Sequence, residues 1–122
     1  MSDYRPGHCN IGPQERRKRA LVAAGAFLAA ALYTAACAVG LLPEALLVAV
    51  FLPLGVGFEW GLQAYDAFCV RLAVLGRYSV DGETGTVEDP ENRHADQLEA
   101  TKITAAAIVL AALVTAGILL TV

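Results

Sequence analysis

Residues 43–76, PEALLVAVFLPLGVGFEWGLQAYDAFCVRLAVLG, decide the fold, because an apolar run passes here without a break into an acidic, thiol-bearing segment. From Ala45 to Phe58 no side chain is charged. With Trp60 and Leu62 the apolar portion reaches about 20 residues, the length of helix that crosses a hydrocarbon core. Glu59, Gln63, Asp66, Cys69 and Arg71 then follow. At about 100° per residue Glu59, Gln63 and Asp66 share one stripe, so the reading is a single helix that crosses a membrane as residues 43–62 and continues to 76 with a polar face at the boundary. That face is the candidate site. Pro53 leaves the carbonyl of Ala49 unbonded, and a kink is expected there.

Two further apolar blocks, residues 20–42 and 103–122, have the same length. In a chain of 122 residues that is 57% hydrophobic and 17% charged, with mean hydropathy +0.53, no soluble domain of useful size is left over. Residues 1–14, with Pro6, Gly7, Gly12 and Pro13, read as an irregular arm, and residues 15–122 as one three-helix membrane domain. The first block follows a polar arm and runs straight into a second block, so it reads as a retained span rather than a cleaved signal.

Arg16, Arg17, Lys18 and Arg19 abut the first block, whereas the connection at residues 40–44 has no Lys or Arg. The positive-inside rule therefore puts the N-terminus in the cytoplasm and the C-terminus outside. The connection between the second and third spans then also lies inside, with Arg71, Arg77, Arg93 and Lys102. It is rich in acid (Asp81, Glu83, Glu88, Asp89, Glu91, Asp96, Glu99), which argues against a nucleic-acid partner. Leu75-Gly76 reads as a helix end and Asp89-Pro90-Glu91 as a helix start. The second and third helices are thus predicted to overshoot the membrane as an antiparallel cytoplasmic stalk, with a loop or small hairpin around Gly82 at its tip. The fold class is an all-α integral membrane protein with three transmembrane helices.

Gly57-x-x-x-Gly61 and Ala112-x-x-x-Ala116 place small side chains one turn apart, the pattern that lets helices approach closely in lipid. It serves packing within the chain or between chains. Counting back along helices of equal rise puts Arg19 opposite Asp66 and Lys102 near Gln63. An interfacial network of Arg16, Arg19, Glu59, Gln63, Asp66 and Lys102 is expected, since a carboxylate near lipid is costly unless partnered.

Asn10-Ile11-Gly12-x-x-Glu15-Arg16-x-x-Arg19, with Cys69 and Leu75-Gly76 further on, resembles the small inner-membrane domain family of unknown function that also forms the membrane part of membrane-bound rhodaneses, the YgaP-like domain. The resemblance covers about residues 10–76. Val70 stands where that family carries Pro, and Ala23 where it carries Gly. Membership implies a multi-pass protein of a prokaryotic plasma (inner) membrane, and it makes Cys69 a candidate reactive thiol. Cys37 reads as an apolar filler. Cys9, Cys69, His8 and His94 lack the spacing of a metal site. No Ser/His/Asp set, phosphate loop or HExxH motif is present, so neither an enzyme nor a cofactor is expected. Two functional classes follow. One is a structural or accessory membrane subunit, packed through small-residue faces in a homo-oligomer or larger complex in the lipid bilayer. The other is a conduit or handling protein for small solutes, protons or sulfur species, using Glu59, Asp66 and Cys69.

Overall fold

The computed structural model describes residues 6, 7, 9–80 and 83–122. Helix α1 (Pro13–Ala38) opens with Pro13, whose fixed φ suits a first turn, after Gly12 in extended conformation. It closes at Gly40, φ +84°. The N–H of Leu41 donates to the carbonyl of Ala36 (2.9 Å) and that of Gly40 to Cys37 (3.3 Å), the paired closure that a left-handed residue permits.

The stretch expected to be one helix over residues 43–76 is divided into three. A 3-10 segment (Glu44–Val50) leads into α2 (Phe51–Asp66), and a short α3 (Val70–Val74) follows a break. Pro53 accounts for the first division. It has no N–H for the Ala49 carbonyl, so the chain ahead of it winds in the tighter form. The second division is at Ala67, which adopts a left-handed conformation (φ 52°, ψ 48°) although it is not glycine. Phe68 N–H returns to the carbonyl of Gln63 (2.9 Å) and Ala67 N–H to that of Ala64 (3.4 Å), so α2 ends in the same closure as α1.

Strands β1 (Arg77–Val80) and β2 (Glu83–Thr86) pair antiparallel, with Tyr78 opposite Gly85 and Ser79 opposite Thr84. Asp81 and Gly82 lie outside the described residues, as does His8. Helix α4 (Pro90–Thr121) then runs unbroken. The Asp89 side chain caps it by accepting from Glu91 N–H at 2.9 Å. Three helices, Pro13–Ala38, Glu44–Asp66 and Pro90–Thr121, are long and apolar enough to cross a bilayer. The chain is a multi-pass membrane protein on that ground.

The spans pack in layers. At one end Ala30, Val50, Leu54 and Ala111 form a buried cluster. Deeper, the Phe27 and Phe58 rings meet edge to face at 5.1 Å. Gly57 lies against Phe27 so closely that a Cβ would sit 2.7 Å from the ring, whereas one on Gly61 would meet Ala23 at an ordinary 3.7 Å. The Gly57/Gly61 face therefore packs on α1 within the chain. At the other end Phe68 and Ala73 pack on Ala100 and Ile103 of α4. It is α3, rather than a prolonged α2, that lies along the early turns of α4.

Candidate functional site

The break after α2 is held by the arm that precedes α1. Asn10, with no exposed surface, binds both backbone groups of Cys69. Its Nδ2 donates to the Cys69 carbonyl at 3.0 Å and its Oδ1 accepts the Cys69 N–H at 2.6 Å. The N–H groups of Asn10 and Ile11 both donate to the carbonyl of Ala67 (3.1 and 3.3 Å). The same arm extends the hairpin, since Ser79 N–H donates to the Asn10 carbonyl (2.8 Å) and Gly12 N–H to that of Ser79 (3.1 Å). One short segment thus ties the start of α1, the end of α2, Cys69 and β1 together. Gly7 N–H donates to Asp96 Oδ1 at 2.6 Å, which anchors the arm to α4 as well.

Beside this knot lies a polar belt. Arg16 reaches the C-terminal end of α2, where its Nε donates to the carbonyl of Ala64 and its Nη2 to that of Tyr65 (2.9 Å). These are carbonyls a helix end leaves open, and the negative end of the helix dipole favours a cation there. Arg19 is only 8% exposed. Its Nε donates to Gln63 Oε1 (3.3 Å), its Nη1 to Glu15 Oε2 (2.8 Å), and its guanidinium stands 5.4 Å from the Trp60 ring centre. Gln63 links the rest: Oε1 also accepts the N–H of Val70 (3.3 Å), and Nε2 donates to Glu59 Oε1 (3.3 Å). Glu59 Oε1 accepts in addition from the Thr104 hydroxyl of α4 at 3.0 Å.

The structure thus brings Arg19, Gln63 and Glu59 into one network and sets Arg16 beside it. Arg16 and Arg19 meet carbonyls, Gln63 and Glu15, and neither is ion-paired to Asp66 or Glu59 among the described residues. Lys102 is exposed on α4, and the α4 side chain that reaches Glu59 is Thr104. Two residues central to the arrangement carried little sequence signal. Thr104 is a neutral residue in an apolar block. Asn10 reads in the sequence as a possible turn residue and as part of the Asn-Ile-Gly pattern, neither of which points to its bonds with Cys69.

Cys69 is 3% exposed and Cys37 is also buried. Cys9 donates weakly to the Ile11 carbonyl (3.4 Å). Among the described residues no three His, Cys, Asp or Glu side chains converge as metal ligands. Ala112 and Ala116 face outward, while Ala107, Ala111 and Thr115 are on the buried side of α4. In comparisons with protein-family models, curated proteins and solved structures, nothing matches this chain.

Proposed function

We propose that this protein is a structural or accessory membrane subunit, which packs through the small-residue face of α4 against a second copy or a larger complex. The observation that carries the reading is that Glu59, Gln63 and Arg19, the polar side chains where α1 and α2 meet, bond to groups of the same chain. Glu59 holds Thr104 and Gln63, Gln63 holds Arg19, and Arg19 holds Glu15. Glu59 is bonded to neutral donors, Gln63 on its own helix and Thr104 on α4, rather than to a second titratable group as in a proton relay. With Gly57 and Gly61 occupied by α1, Ala112 and Ala116 are left to approach a neighbour. In this reading the basic start of α1 and the β1–β2 hairpin are cytoplasmic, and the C-terminus is outside.

The test is the size of the full chain extracted in mild detergent. An assembly larger than one chain is expected, reduced to a single chain by Ala112→Leu with Ala116→Leu at unchanged helix content. A wild-type chain that is single in native membranes overturns the proposal. So does a proton or anion flux in liposomes that Glu59→Gln abolishes without loss of stability, which would establish the conduit alternative.

A further inference from the structure

We propose that the cleft between the first turns of α1 and the α2–α3 break holds the phosphate headgroup of an anionic phospholipid. A cavity of about 760 Å³ opens there, with Lys18, Arg19 and Arg71 among its cations and Leu21, Val22 and Trp60 as its apolar wall. A second cavity of about 270 Å³ shares Arg19 and Arg71 and adds Arg77.

The carboxylates on the cleft are already engaged, Glu15 by Lys18 and Arg19, and Glu59 by Thr104 and Gln63. The arginines keep donors to spare. Arg19 uses Nε and Nη1, which leaves Nη2 without a partner among the described residues. The side chains of Arg71 and Arg77 have no hydrogen bond or ion pair among those residues either. Three guanidinium groups with free donors therefore line the smaller cavity, two of them, Arg19 and Arg71, also line the larger one, and the planar guanidinium fork matches phosphate oxygens. One of the three, Arg19, is fixed in place by burial. The larger cavity, which shares Arg19 and Arg71 with the smaller, is also lined by Leu21 and Val22, both exposed on α1. A soluble anion has no use for that wall, whereas an acyl chain lies along it. Tryptophan at the mouth suits the headgroup level. The inference needs no second chain, since the cavity is lined by residues of α1, α2 and α3, whereas the subunit reading uses Ala112 and Ala116 of α4.

Trp60 is the single tryptophan of the chain, so its fluorescence reports on the cleft. The full-length protein is reconstituted in phosphatidylcholine vesicles containing brominated phosphatidylglycerol or, separately, brominated phosphatidylcholine. The anionic quencher should act at a several-fold lower fraction. Arg71→Gln with Arg77→Gln should remove that preference, at roughly five-fold per cation, while Arg71→Lys with Arg77→Lys keeps most of it. Lys102→Gln, outside the cleft, should leave it unchanged. Equal quenching by both lipids in the wild type overturns the proposal, as does a preference that survives the double glutamine variant. A Trp60 fluorescence change on adding inorganic phosphate in pure phosphatidylcholine vesicles, with no preference for the anionic quencher, would assign the recess to a soluble anion and overturn the lipid.

Discussion

Asn10 does at the residue scale what no apolar side chain does at this junction. A carboxamide has a donor and an acceptor on one planar group, and here they meet the C=O and N–H of a single residue, Cys69, in a fully buried setting. Asp keeps the shape and the acceptor but has no donor when ionised, which sets a carboxylate against the Cys69 carbonyl. We expect Asn10→Asp to destabilise the protein by about 3 kcal/mol, one lost hydrogen bond plus the burial of an unmet charge-bearing group. The deficit should shrink at low pH, where a protonated carboxyl regains a donor. Thermal unfolding in detergent, followed by circular dichroism at two pH values, checks both statements. A pH-independent deficit would show that the donor is not what matters.

At the scale of the elements, the end of α2 is decided from a distance. The sequence around Tyr65-Asp66-Ala67-Phe68 contains no Gly or Pro, and a helix former such as alanine gives no local reason to stop. The arm, nearly sixty positions away, supplies the reason by bonding twice to the Ala67 carbonyl and placing Arg16 on the last carbonyls of the helix. A left-handed alanine costs about 1–2 kcal/mol, whereas glycine loses about 0.5–1 kcal/mol in conformational entropy on folding. The first exceeds the second, so Ala67→Gly should stabilise by about 0.5–1 kcal/mol. Destabilisation by the same amount would mean that Ala67 is not strained. Elsewhere the elements were legible: the three apolar blocks are composition and length, and the Asp89-Pro90-Glu91 cap is a local bond. The Glu59/Gln63 stripe also followed from helical spacing, but its partners did not. Counting with equal rise set Asp66 opposite Arg19. The seven residues of the 3-10 segment rise about 2.0 rather than 1.5 Å each and add about 3.5 Å, some two helical residues. That offset moves Gln63 toward the level of Arg19, where the hydrogen bond is found.

For the whole molecule, the knot at Asn10 has a consequence for topology. Because Gly12 bonds to Ser79, the basic start of α1 and the β1–β2 hairpin sit at one end of the bundle. The connection that follows α1 is at the other end, one span away. The two ends differ in charge: Arg16, Arg17, Lys18, Arg19, Arg71 and Arg77 lie toward the first, and residues 39–43 contain no Lys or Arg. Translocating six cations across a membrane is far less favourable than translocating none, so the Asn10 end should stay in the cytoplasm. Two positions report on this, Leu41 beyond α1 and Thr84 in β2, both exposed. In a chain with Cys9→Ser and Cys69→Ser, a membrane-impermeant maleimide on intact cells should label Leu41→Cys, and should label Thr84→Cys only after permeabilisation. Labelling of Thr84→Cys from outside would reverse the orientation. It would also place the guanidinium cleft in the outer leaflet, and the anionic phospholipid it is expected to hold would then have to come from that leaflet.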